Sequence, residues 1–165
     1  MPPLFRRILV PHDFSEHATE ALRTALELAR DRGGRVIVLH AIVPFEPIAA
    51  IPPGEMAMVI PPAELIAEAR KRLETLAQKL AAGPRAPRVD CRVVIGDPYQ
   101  CILEAAADAD SIVMATTGRT GLAHLLIGSV AEKVVRHAPV PVLTIRPARS
   151  SRPRARRASR PGSRR

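Results

Sequence analysis

The sequence predicts an α/β fold, a single doubly wound five-stranded parallel sheet with helices on both faces, and three observations carry that prediction. Short, unbroken apolar runs such as Ile8-Leu9-Val10 and Val36-Ile37-Val38-Leu39 suit strands covered on both faces by helices. These runs alternate with segments of helical period, which demands right-handed crossovers and parallel strands. A chain of 165 residues with 47% hydrophobic content has material for one core of ordinary size and a tail.

Each element has its own signals. Residues 7–11, Arg-Ile-Leu-Val-Pro, form the first strand. Ser15 is placed to cap a helix whose Ala18, Ala21, Leu22, Ala25 and Ala29 recur at helical spacing, and Gly33-Gly34 stops it. Residues 36–42 read as strand two. Residues 45–62 are proline-rich with Met56 and Met58 interspersed, fit neither period, and read as a long excursion, either a lid or a tolerated insertion. Pro61-Pro62 pre-sets the first turn of a helix striped by Leu65, Ile66, Ala69, Leu73, Leu76, Ala77 and Leu80, which Gly83-Pro84 ends. Alternation over residues 89–95 supplies strand three. Gly96 then turns the chain, Asp97 caps, Pro98 takes the first helical position, and Ile102, Ala105 and Ala106 mark a buried face. Residues 111–115 are strand four, 129–137 a helix, and 140–145 strand five.

The net charge of +9 invites a nucleic-acid reading until its location is considered. Eight of the 25 basic residues, all arginines, lie in 149–165 without an acid, which leaves residues 1–148 with 17 basic against 16 acidic side chains. We therefore expect a nearly neutral domain over 1–148 and a disordered Arg-rich tail over 149–165. The tail suits a weak, salt-sensitive contact with nucleic acid or an anionic surface, and equally a solvated extension. Aromatic content of 2% leaves few stacking platforms for a nucleic-acid binder. No apolar run is long enough to insert in a membrane, and the start lacks the apolar region and cleavage site of a signal peptide, so a cytoplasmic address is expected. Cys91 and Cys101 stand apart without clustering and are expected in the core.

Open parallel sheets bind ligands outside the carboxyl ends of their strands, where the winding reverses. That directs attention to Asp13, Ala41, Gly96 and the loop over residues 115–129. This loop holds Gly118, Gly121 and Gly128 and runs into a helix at Ser129. Glycine lets backbone approach an anion, and the unpaired N–H groups of a helix N-terminus point at it. Arg119 adds charge and the Ser129 hydroxyl a donor. Ser129-Val130-Ala131-Glu132 also has the form of a capping box, so Ser129 reads as a cap and a phosphate contact together. The lysine of a GxxxxGK-[ST] phosphate loop is missing from it.

The opening Arg7-Ile8-Leu9-Val10-Pro11-His12-Asp13-Phe14-Ser15-Glu16, together with Gly118-Arg119-Thr120-Gly121, Gly128-Ser129-Val130-Ala131-Glu132-Lys133-Val134 and His137-Ala138-Pro139-Val140-Pro141-Val142-Leu143, resembles the universal stress protein family over about residues 5–147. In its ATP-binding branch the motif is glycine, two residues, glycine, nine residues, glycine, then serine or threonine. Here that pattern falls on Ala115, Gly118, Gly128 and Ser129, with alanine at the first glycine. The resemblance implies a Rossmann-like sheet of order 3-2-1-4-5 and a stress-response module that binds ATP or a related adenine nucleotide, with Mg²⁺ accompanying it. It implies that Asp13 accepts from the adenine, that Pro11 and the backbone of Ala41 line the base pocket, and that Gly96 approaches the ribose. Ala115, Gly118, Arg119, Gly121, Gly128, Ser129 and Val130 would then surround the phosphates.

No acid–base pair or activated nucleophile is evident near the loop, so catalysis amounts at most to slow ATP hydrolysis. The alternative reading is a nucleotide-free dimeric signalling protein of the same fold. By the same resemblance, a homodimer would form through the last strand, residues 140–145, whose open edge is apolar. His12 reads as a solvated loop residue, His17 as an exposed helix residue, His40 as a strand-end residue near the pocket, and His124 and His137 as surface or packing residues. None has convincing metal-ligand spacing.

Overall fold

The structure is a computed structural model that describes residues 4–44, 61–116 and 128–146. Most of the excursion, residues 45–60, the loop residues Gly118, Arg119, Gly121 and His124, and the tail over 149–165 lie outside the described residues. The elements run β1 (Arg7–Pro11), α1 (Glu16–Arg32), β2 (Arg35–Ile42), α2 (Ala63–Ala81), β3 (Arg88–Ile95), α3 (Pro98–Ala105), a 3₁₀ turn (Ala106–Asp108), β4 (Ser111–Ala115), α4 (Ser129–His137) and β5 (Val142–Ile145). All strand pairs are parallel, in the order β3-β2-β1-β4-β5. The expected five-stranded Rossmann-like sheet is therefore present.

Strand alternation divides the core into two layers. Ile8, Val10, Val36, Val38 and Val113 point to one face and pack against α1 and α2 through Ala21, Leu22, Ala25, Leu26 and Leu73. Leu9, Ile37, Leu39, Ile112 and Met114 point to the other, against Ile102 of α3 and Ala131 and Val134 of α4. The run of buried alanines on α1 lets its backbone lie close to the sheet, which is how a helix so poor in large side chains still closes a layer. Ser15 caps α1, its Oγ accepting the Ala18 N–H at 3.1 Å, and Gly33 ends it in the left-handed region at φ 61°. Gly34 is needed for space, because a Cβ there would stand 2.8 Å from the carbonyl oxygens of Phe5 and Arg6.

Three local expectations are adjusted. Helix α2 stops at Ala81, ahead of Gly83-Pro84, with Ala82 already extended. Strand β5 begins at Val142 rather than 140; Pro141 only accepts, from the Ile112 N–H at 2.9 Å, since proline has no amide hydrogen to donate. Cys91 and Cys101 are half-buried rather than fully in the core: Cys91 sits on β3, an edge strand, and Cys101 on the first turn of α3, its Sγ against the turn at Gly96. Burial, with Glu74 and Asp90 nearby, pushes the Cys91 thiol up to about 11, and burial also raises Cys101. Both are therefore thiols rather than reactive thiolates near neutrality. Among the described residues no helix is long and apolar enough to cross a membrane.

Candidate functional site

With this strand order the winding reverses between β1 and β4, and a cleft of about 300 Å³ opens there at the carboxyl ends of the strands. Its size and composition fit a small-molecule site. The apolar surface comes from Leu39, Ile102 and Met114, while Pro11, Asp13 and Ala41 approach from the β1 and β2 ends and Ser129, Val130 and Ala131 from the start of α4.

The segment joining β1 to α1 is rigidly built. His12 continues the ladder past β1, its N–H donating to the Leu39 carbonyl at 2.8 Å. Its ring is not solvated, as the sequence had suggested, but only 3% exposed, because the strand pairing extends one residue further and draws the side chain inward. Nδ1 accepts the Phe14 N–H at 3.1 Å, so the neutral ring carries its hydrogen on Nε2. That nitrogen lies 3.4 Å from the Thr19 Oγ1, a hydroxyl that itself donates to the Ser15 carbonyl. Burial, aided by His40 and Arg72 and opposed by Asp13, lowers the His12 pKa to about 4. The His12 carbonyl accepts from His40 Nδ1 at 2.8 Å, so His40 carries a hydrogen on Nδ1.

Around this pair Phe14 adopts φ 64°, its ring tilted on His40 at 4.5 Å and covered by the Arg72 guanidinium at 4.3 Å. Asp13 Oδ1 accepts the Ser15 N–H at 3.0 Å, an Asx turn that holds the carboxylate on the cleft wall.

The start of α4 differs from a capping box. Gly128, at φ −59° and ψ 148°, is the N-cap, Ser129 is already the first helical residue, and among the described residues no side chain caps the turn. The Ser129 hydroxyl cannot serve as cap from inside the helix, so that expectation is corrected. The Gly128 N–H donates to the Thr116 carbonyl at 2.7 Å, tying the helix to the end of β4, and the first intrahelical bond is Glu132 N–H to the Gly128 carbonyl. The amides of Ser129, Val130 and Ala131 consequently have no acceptor among the described residues. All three residues line the cleft, at the positive end of the helix dipole.

Ala115 occupies the position where the motif has glycine. It is a regular β4 residue in register with Ile145 and does not belong to the positive-φ set, which among the described residues other than glycine is Phe5, Phe14 and Arg85. Its methyl packs with Val113 and Ile145 on the α1–α2 layer, whereas Met114 serves the other layer and the cleft. The residue borders the cleft without its backbone requiring glycine.

Of the residues singled out in the sequence, Pro11, Asp13, Ala41, Ala115, Gly128, Ser129 and Val130 come together around this cleft. Gly96 does not line it; its N–H bonds the Ile42 carbonyl at 3.0 Å, and its φ of 153° and the Cys101 Sγ, 3.0 Å from where a Cβ would be, account for the glycine. Gly118, Arg119 and Gly121 lie outside the described residues. Sequence reasoning missed Ala131, the third amide of the α4 start on the cleft, which only the helix start could reveal, and His12, whose burial depends on one extra rung of pairing. Among the described residues no cluster of three or more His, Cys, Asp or Glu is arranged to hold a metal ion.

The profile of the universal stress protein family matches residues 4–146. The "Universal stress protein in QAH/OAS sulfhydrylase 3'region" of Thermus aquaticus is 36% identical over 149 residues, covering 87% of this chain and 100% of that protein. Among solved structures, the universal stress protein UspA from Lactobacillus plantarum superposes with a TM-score of 0.70 at 27% identity, covering 87% of this chain and 99% of the other. The universal stress protein from Archaeoglobus fulgidus in complex with dAMP gives 0.59 at 26% identity, covering 87% and 98%.

Proposed function

Because the chain belongs to the universal stress protein family of stress-response proteins, we propose that it is a cytoplasmic regulatory module that binds ATP, or a related adenine nucleotide, in the cleft between β1 and β4. The observation that carries this reading is the set of three amides, Ser129, Val130 and Ala131, which have no acceptor among the described residues and open onto an apolar cleft bordered by Asp13 and Ala41. The adenine enters between the ends of β1 and β2, where Asp13 accepts from its amino group and Pro11 and the Ala41 backbone border the ring. The phosphates meet the α4 amides, and Gly118, Arg119, Gly121 and the Ser129 hydroxyl complete the cradle, with Mg²⁺ carried by the phosphates. The relative from Archaeoglobus fulgidus was solved with dAMP, an adenine nucleotide, which supports the same ligand class here.

Among the described residues no side chain is arranged to activate a nucleophile: His12 is buried, engaged through Nδ1, and its burial favours the neutral ring. The protein's residues bind and orient the ligand, and its role is occupancy-dependent signalling with at most slow ATP hydrolysis. Isothermal titration with ATP and Mg²⁺, and with dAMP, tests the proposal. It expects saturable heat and a raised melting temperature; the absence of both overturns it.

The second reading, a nucleotide-free dimer, is favoured by alanine at the first motif position. The strand geometry of Ala115, its methyl on the α1–α2 layer, weakens that case. Dimerisation through β5 is compatible with either reading and is supported by Leu143, which is 37% exposed on this edge strand.

A further inference from the structure

The edge of the sheet opposite the cleft is strongly basic. Arg7 pairs in register with Arg35, and Arg35 with Arg88. The three therefore occupy one rung across β1, β2 and β3 and project to the same face, with neighbouring Cα positions about 4.8 Å apart and the outer two about 10 Å apart across the strands. Like charges directly opposite on neighbouring strands are destabilising, so this rung stores repulsion. Together with Arg6, Gly33, Gly34 and Asp110, these residues line an open depression of about 470 Å³.

Asp110, the acid that lines the depression, offsets only part of the charge of the four arginines around it. Asp110 is engaged by the amides of Arg6 at 3.1 Å and Arg7 at 2.8 Å on Oδ2, and by the Ser111 hydroxyl at 3.0 Å on Oδ1. Asp90 and Asp108 are both bound by Arg92, at 2.9 and 2.7 Å. Bonded to that guanidinium, Asp108 is held below its usual carboxylate range, with smaller contributions from Arg35 and Arg7. None of Arg6, Arg7, Arg35 and Arg88 forms an ion pair within 4.0 Å among the described residues.

We propose that this rung is a second, separate anion site, in which Arg7, Arg35 and Arg88, flanked by Arg6, bind a linear oligophosphate. Every cation lining the depression is arginine, whose planar fork matches phosphate oxygens bidentately where lysine offers a point charge. Three forks in a row fit a chain of phosphates better than a single one, which would reach only part of the rung. Binding relieves the repulsion within the rung, and it is independent of the nucleotide cleft because the two lie at opposite ends of the strands.

Calorimetry of the full chain with inorganic tripolyphosphate at low salt is the test, comparing the wild type with the double variant Arg35→Gln/Arg88→Gln. The C-terminal arginines are present in both proteins, so the difference between them isolates the rung. The double variant should bind tripolyphosphate at least tenfold more weakly, keep its affinity for ATP within twofold, and melt no lower than the wild type. Tripolyphosphate affinity unchanged within twofold overturns the site, as does its loss in the cleft variant Ser129→Pro instead. Failure of tripolyphosphate to bind, with a short DNA duplex bound and then lost in the double variant, replaces the oligophosphate by nucleic acid and also overturns it.

Discussion

Comparing Ser129→Pro with Ser129→Ala isolates the contribution of one helix amide to nucleotide binding. Ser129 is the first residue of α4, where proline's fixed φ and missing N–H are tolerated. The residue before it, Gly128, already has φ −59° and ψ 148°, the extended conformation that a following proline requires. The Ser129 amide makes no intrahelical bond, so Ser129→Pro should leave the melting temperature within a few degrees of the wild type. A hydrogen bond to a charged group contributes about 1.5–3 kcal/mol, so losing this donor to a phosphate should weaken ATP roughly 10- to 150-fold. Ser129→Ala, which removes the hydroxyl alone, should cost less. Isothermal titration of the three proteins with ATP and Mg²⁺ reads both effects. If Ser129→Pro binds ATP within twofold of the wild type, or loses no more than Ser129→Ala, the amide plays no part and the reasoning fails.

Three further outcomes are expected. Ala115→Gly restores the family's glycine but removes a methyl that packs on the α1–α2 layer; it should lower stability by roughly 0.5–1 kcal/mol and change ATP affinity less than twofold, and a tenfold gain would show that the methyl obstructs the ligand. The His12 pKa is about 4 in the fold against an ordinary 6.5, so the unfolded chain binds more protons between those values. The stability tied to its neutral form, about 3 kcal/mol at most, is complete above pH 6.5 and lost as pH falls towards 4. His12→Asn, whose carbonyl can take the Phe14 N–H, should flatten that slope in denaturant titrations at pH 4.5 and 7; parallel slopes would contradict it. Leu143→Lys, which puts a charge on the β5 edge, should shift a dimer to monomer in sedimentation, and an unchanged dimer would exclude pairing through that strand.

The architecture was legible because its signals are local. Unbroken apolar runs marked buried parallel strands, and Ser15 and Asp97 marked helix starts that their side-chain bonds to Ala18 and Gln100 realise. The cleft was legible in outline, since residues directly after strands one, two and four converge wherever a doubly wound sheet reverses. What escaped the sequence depends on register and partner. Ser129-Val130-Ala131-Glu132 has capping-box spacing, yet the helix starts one residue earlier than that pattern assumes, with Gly128, tied to Thr116, as the N-cap and Ser129 already helical. His12 is polar and follows a strand, which suggests exposure, while its pairing with Leu39 buries it. The arginine rung is invisible in one dimension: Arg7, Arg35 and Arg88 lie far apart in sequence, and only the register of three strands makes them neighbours.

The central claim, an adenine nucleotide held by the first amides of α4, is tested most directly by following backbone amide resonances during titration with ATP and Mg²⁺. The account predicts saturable shifts at Asp13, Ala41, Ser129, Val130 and Ala131, with Arg35 and Arg88 unmoved at low nucleotide concentration. An absence of shifts at the α4 amides, or shifts confined to the arginine edge, would contradict it.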